Sequence, residues 1–177
     1  MPMLLAGRPV GEERLPVETA VYDLLDQLHI SYWRVDHPAA YTMEDCRETD
    51  RLLDAAICKN LLLCSAHQTA FYLLMLRGDK HLQAKTLARQ IGCSRLSFAP
   101  PKVLERLLGL QPGAVSVLGL MNDRDHAVRL LIDRDVAEAS FLGCHPCVNT
   151  TSLRLRTADI LSRFLPHTGH DYTLVTV

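Results

Sequence analysis

A chain of 177 residues, 48% hydrophobic and 22% charged, can bury one domain-sized core and has an ordinary globular balance, which excludes a disordered or fibrous protein. A formal net charge of −1 excludes a protein that coats nucleic acid, DNA included, through bulk electrostatics; a small basic pocket gripping one strand end remains open. No apolar run approaches the ~20 residues that span a bilayer, and residues 1–10 carry one arginine and a short apolar piece, so no membrane partner and a cytoplasmic home are expected.

Residues 1–14 read as a loose arm and 15–177 as one domain. Pro16 opens a helical stretch to about His29, with Val17, Val21, Leu24, Leu25 and Leu28 at helical spacing. Residues 30–35 read as a strand, favoured by Tyr32 and Trp33 and broken by His37-Pro38. Thr42 followed by Asp45 makes a helix cap for a partly helical 43–56. The apolar run 57–64 is a buried strand, and with 70–77 it forms a hairpin across a polar turn. Helices are expected over 82–91, stopped by Gly92, and from Pro100-Pro101 to Gly109. Residues 114–120 and 127–133 read as two strands joined by the turn Asn122-Asp123-Arg124-Asp125. A helical turn near Val136, a strand over 140–142 and a loop over 143–146 follow. The chain closes with a strand over 150–155, a helix capped by Thr157 and running to about Leu165, and a strand over 172–177. The fold class is α+β: one domain with strands in hairpins and helices packed outside.

Chemistry concentrates where a core would not ask for polar groups. Lys59 and Asn60 interrupt the apolar run 57–64. A buried ammonium is costly unless it meets an anion, so Lys59 either reaches solvent as an edge-strand lysine or faces a site that takes negative charge. Strand alternation puts Lys59 with Leu61 and Leu63, and Asn60 with Leu62 and Cys64, so one shared site would need a bulge to re-aim one of them. The other polar stretches are 113–119, Asn122-Asp123 and 145–149. No Ser-His-Asp order, phosphate loop or zinc-protease helix is present. The six cysteines are Cys46, Cys58, Cys64, Cys93, Cys144 and Cys147. Cys144, His145 and Cys147 could be imagined around a metal, but Pro146 intervenes and no fourth ligand stands at zinc spacing. Reduced thiols, no metal and no cofactor are expected.

Several of these stretches together resemble the prolyl-tRNA synthetase-associated domain family, also called the YbaK family. The resemblance rests on Lys59-Asn60-Leu61 with Leu63, on Gly78-Asp79-Lys80, and on the run from Ser94 to Ala99. It rests further on Pro112-Gly113-Ala114-Val115-Ser116, on Gly119-Leu120 with Asn122-Asp123, and on His145-Pro146 with Val148-Asn149-Thr150. It implies a mixed, mostly antiparallel, barrel-like sheet with surrounding helices, and a free-standing editing enzyme that deacylates mischarged tRNA. The His-Pro, Val-Asn and Asn-Asp signatures are most similar to the members that hydrolyse alanyl-tRNA(Pro). The implied partners are the acceptor end of an aminoacyl-tRNA and, as a candidate, prolyl-tRNA synthetase.

By that resemblance Lys59 would hold the phosphate or ribose of the terminal adenosine, and Asn60 would orient the acyl ester. The backbone around Gly113 would approach the ester carbonyl, and His145 would sit near the aminoacyl group and its amine. Ser116, Gly119, Asn122 and Asn149 would complete the substrate site. Water attack would be assisted by the substrate's own ribose hydroxyl. Leu61, Leu63, Leu74 and Leu76 are expected as walls that exclude a prolyl group. The family pattern Gly-x-x-x-Pro is broken here, because Val117 stands four residues after Gly113 and frees the dihedral a proline would fix. Other readings are a non-catalytic binding or regulatory module of the same fold, a cysteinyl-tRNA(Pro) deacylase, and the metal protein built on Cys144.

Overall fold

The computed structural model describes residues 2–39 and 43–177, apart from the side chains at 43–45. The Thr42–Asp45 cap lies outside the described residues. The strands are β1 (Leu5–Ala6), β2 (Tyr32–Asp36), β3 (Ala56–Ser65), β4 (Phe71–Arg77), β5 (Leu96–Phe98), β6 (Val128–Asp133), β7 (Phe141–Cys144), β8 (Thr151–Arg156) and β9 (Tyr172–Val175). The helices are α1 (Pro16–Gln27), α2 (Met43–Leu53), α3 (Ala84–Ile91), α4 (Pro101–Leu108) and α5 (Arg134–Ala137), then α6 (Thr157–Asp159) and α7 (Leu165–Thr168). A 3₁₀ helix spans Val117–Asn122 and a π-helical stretch, Ile160–Phe164, joins α6 to α7.

The strands run in the order β1-β2-β8-β7-β3-β4-β6-β9, with β5 as a second partner of β3. Pairing is antiparallel except at β3–β7, β4–β6 and β6–β9. The expected hairpin is β3–β4, registered Cys58 to Arg77 through Cys64 to Phe71. The N-terminal arm is tied in, since β1 pairs with β2 and Gly7 N–H donates to Tyr32 O.

One face of the sheet packs Leu62, Cys64, Leu73, Met75, Leu130 and Ile132 against α1, α4 and the Ile160–Phe164 stretch. The other face packs Leu63, Leu74, Leu76 and Leu131 against Leu87 and Ala88 of α3. Proline at the first turn starts α1 and α4, and left-handed glycines, Gly92 and Gly109, stop α3 and α4.

Residues 114–120 are not a strand, and the hairpin expected with 127–133 does not form. Ser116 caps the 3₁₀ helix, its Oγ accepting from Leu118 N–H at 3.2 Å. Val117, Leu118 and Leu120 are all buried, and an apolar run of this length carries no period that separates a buried strand from a buried helical turn. Gly119 packs directly on the chain after α4: a Cβ there would stand 2.7 Å from Leu110 Cδ1. β6 instead lies parallel between β4 and β9. Asp123 holds the turn into β6, accepting from the N–H groups of Ala127 and Val128 and from His170 Nε2 at 2.9–3.0 Å. Residues 143–144, expected in a loop, continue β7. Thr157 is the first residue of α6 rather than its cap, and its hydroxyl is buried with no partner among the described residues.

Candidate active site

The site begins as a gap in the sheet. On one edge β3 pairs continuously with β4. On its other edge it pairs with β7 only at Ala56 and Ile57, and with β5 only from Leu63 to Ser65. Ile57 O accepts from Gly78 N–H on the β4 side, and Leu62 O accepts from Ala99 N–H on the opposite side. Ladder alternation therefore turns the backbone N–H and C=O of Asn60 toward the gap. A cavity of ≈ 480 Å³ opens there, lined by residues 58–62 of β3 and by Phe98, Ala99, Pro101, Leu104, Pro112, Gly113, Val115 and His145.

Lys59, Asn60, Gly113 and His145 all line this cavity. Lys59 and Asn60 keep the opposite faces that alternation predicts, and β3 needs no bulge to bring both to it. The cavity reaches them because it runs through the open edge of the strand rather than over one face. Lys59 is exposed, and its Nζ donates to the Lys80 carbonyl at 2.8 Å. Asn60 is buried: its Oδ1 accepts from Val117 N–H at 3.0 Å, and its Nδ2 reaches the Cys58 carbonyl at 3.4 Å.

Gly113 sits in the left-handed region at φ 87°, where a side chain would be strained. The same turn is closed by Ala114 N–H donating to Gln111 O. Among the described residues, the N–H groups of Gly113 and Val115 meet no protein acceptor, and both residues line the cavity. Unpaired backbone N–H groups are the type of donor that can stabilise an anionic oxygen.

His145 follows β7. Its Nδ1 lies 2.7 Å from the Thr151 carbonyl, which can only accept, so Nδ1 carries the proton and Nε2 is the free acceptor. Burial pushes the His145 pKa down from 6.5, and neighbouring His37 pushes the same way. Burial thus favours the neutral ring. Thr151 is itself anchored, donating from Oγ1 to Asp36 Oδ1 at 2.9 Å, and Asp36 is clasped by Arg14. Burial alone would raise the Asp36 carboxyl, but the bonds from Arg14 and Thr151 outweigh it and hold its pKa below 3.8.

The remaining sequence candidates fall around the cavity rather than in it. Ser116, the cap of the 3₁₀ helix, and Gly119 within it are both buried. Asn122 donates from Nδ2 to Leu108 O and closes the end of α4. Asn149 is beside the glycine turn, its Nδ2 3.8 Å from where a Cβ on Gly113 would stand. Of the expected walls only Leu61 lines the cavity. Leu63, Leu74 and Leu76 belong to the core on the other face, beneath α3. The apolar lining comes from Leu62, Phe98, Ala99, Pro101, Leu104 and Val115.

No group of three or more His, Cys, Asp or Glu side chains among the described residues could hold a metal ion. Cys144, His145 and Cys147 do not form such a group. Burial pushes the thiols of Cys144 and Cys147 up to about 12, so both rest as thiols.

A family model described as the aminoacyl-tRNA editing domain matches residues 37–162, a span that holds every residue placed around the cavity. The chain belongs to the aminoacyl-tRNA editing domain family. Within that family it is 33% identical over 146 residues to an Acetoanaerobium sticklandii protein named prolyl-tRNA editing protein ProX, covering 82% of this chain and 89% of that one. A Danio rerio protein named prolyl-tRNA synthetase associated domain-containing protein 1 is 29% identical over 150 residues, covering 84% and 80%. A crystal structure described as a candidate trans-editing enzyme for prolyl-tRNA synthetase superposes with a TM-score of 0.69 at 17% identity, over 93% of this chain and 99% of that one. That last likeness is one of fold alone, and it agrees with the mixed, open, barrel-like sheet.

Proposed function

We propose that this protein is a trans-editing aminoacyl-tRNA deacylase that hydrolyses mischarged tRNA(Pro), with the alanyl ester as its preferred substrate. The observation that carries the reading is the junction of an exposed lysine, two unpartnered loop amides and a neutral histidine on one cavity of ≈ 480 Å³. The names of the relatives from Acetoanaerobium sticklandii and Danio rerio support the prolyl-tRNA assignment.

In this reading the terminal adenosine lies over the open edge of β3, and Lys59 meets its phosphate or ribose. The acyl group enters the apolar end between Leu62, Leu104 and Val115. Water adds to the ester carbonyl carbon, and the developing oxyanion is taken by the N–H groups of Gly113 and Val115. The carbon–oxygen bond to the ribose then breaks, the ribose oxygen takes up the proton, and the free amino acid leaves. His145 Nε2, a neutral acceptor, takes a hydrogen bond from the α-ammonium group or from the attacking water. No side chain of the cavity has the pairing of an activated nucleophile, which agrees with a water attack assisted by the substrate's own ribose hydroxyl. Asn60 positions the loop from Gly113 to Val117 instead of holding the ester itself.

Purified protein should release alanine from alanyl-tRNA(Pro) in a time-dependent, catalytic manner. Stoichiometric binding without release would contradict the enzyme and favour the non-catalytic module, a reading that draws on the engagement of Asn60 with Val117.

A further inference from the structure

A second cavity, of ≈ 750 Å³, lies between α3 and the approach to β5, and carries Lys85, Arg89, Arg95, Cys93, Ser94 and Leu96 on its lining. Three cations line it and no carboxylate does. Some cations elsewhere are matched: Arg8 pairs with Asp23, Arg77 with Asp79, Lys80 with Asp133 and Asp135. Lys85, Arg89 and Arg95 meet no acid among the described residues. Lys85 and Arg89 are four residues apart on α3, so they share one helix face. On a chain with net charge −1 this is a local concentration of uncompensated positive charge in a concave surface.

The groove and the active-site cavity both take residues from β5. Leu96, at its start, lines the basic groove, while Phe98, at its end, lines the catalytic cavity. Phe98 is 63% exposed, an aromatic face left open at the cavity mouth. From Arg95 to Phe98 the strand advances ~10 Å, a distance covered by a few nucleotides of single-stranded chain.

We infer that this groove and Phe98 form a docking track for the single-stranded 3′ end of an RNA. Phosphates sit on Lys85, Arg89 and Arg95, and a base stacks on Phe98 before the terminal nucleoside reaches Lys59. The inference rests on the tRNA reading above for its occupant and on charge complementarity for its chemistry.

The test measures binding, not turnover, so a protein with no esterase activity would defeat the proposed function and leave this test standing. A labelled, uncharged RNA hairpin ending in single-stranded CCA is titrated against the protein by fluorescence anisotropy at several salt concentrations. The triple variant Lys85→Gln, Arg89→Gln, Arg95→Gln should raise the Kd at least tenfold and flatten the slope of log affinity against log salt by about 2, at ~0.7 per cation on a single strand. Phe98→Ala should weaken binding of the CCA-ended hairpin about five- to a hundredfold and leave a blunt hairpin unaffected. A charge-matched control, Arg124→Gln, Arg129→Gln, Arg134→Gln, should change little. Equal weakening by the control set would reduce the effect to bulk charge and overturn the inference. So would an unchanged Kd and slope in the groove variant, or no binding by the wild type.

Discussion

Asn60 Oδ1 accepts the N–H of Val117 at 3.0 Å, joining the open edge of β3 to the first residue of the 3₁₀ helix that follows the glycine turn. Both partners are buried. This bond depends on Val117 having an N–H, which a proline lacks. The site thus has a strand and a loop locked together behind the two free amides of Gly113 and Val115. Asn60→Ala would strand the Val117 donor in the core at a cost of ~1–3 kcal/mol, lowering Tm by ~2–4 °C per kcal/mol. Val117→Pro removes the donor at a first-turn position where proline fits, so it should cost less. In a double-mutant cycle followed by thermal melting, the two losses should be less than additive. Strict additivity would show that the bond does not couple strand and loop.

Lys59 makes one exposed hydrogen bond, to the Lys80 carbonyl. Lys59→Ala should therefore leave Tm nearly unchanged. A charge-assisted contact to substrate is worth ~1.5–3 kcal/mol, so kcat/KM should fall about ten- to a hundredfold. A lysine that only guards the strand against aggregation would give unchanged kinetics.

His145 provides a pH signature. Its folded pKa is depressed below 6.5, chiefly by burial. The active form is the neutral ring, so kcat/KM should rise with pH through an inflection below 6.5, and His145→Gln should remove that inflection. Linkage has a definite sign here. Between the depressed folded pKa and the ordinary value the unfolded chain binds more protons, so this group makes the fold less stable as pH falls through that window. Below the folded pKa the loss stops growing. An inflection that survives in the His145→Gln variant would assign it to another group.

How much of this could be read from the sequence differs sharply between neighbouring elements. The β3–β4 hairpin was legible because two apolar runs flank a polar turn, and Lys59 and Asn60 stood out because polar groups are unexpected in such a run. Pro112-Gly113 announced its turn. The segment Val117–Asn122 reads as a strand yet forms a 3₁₀ helix, because a short buried run has no distinguishing period. β5 gives no strand signal: it spans Leu96–Phe98 and buries Leu96 alone, too little to form a pattern. The cavity walls are hidden in the sequence for a different reason. Leu63, Leu74 and Leu76 are strand residues of the right type, but only the long-range pairing of β7 and β5 with opposite ends of β3 decides where the sheet is open. Phe98 and Leu104 enter the site through that pairing, and no local signal marks them. Thr151, which fixes the His145 tautomer through its carbonyl, was legible only as a strand residue.

The central claim is hydrolysis of a mischarged ester with steric exclusion of the cognate one. One methylene in an apolar pocket is worth only ~1–3 kcal/mol, so rejection of proline must come chiefly from shape. The direct measurement is the initial rate of deacylation of tRNA(Pro) acceptor stems charged with alanine, serine, cysteine or proline, under identical conditions. The alanyl ester should turn over fastest, the seryl and cysteinyl esters more slowly, and the prolyl ester hardly at all. Preference for the cysteinyl ester would move the protein to a sister activity on the same tRNA. Rapid hydrolysis of the prolyl ester would contradict the editing function itself.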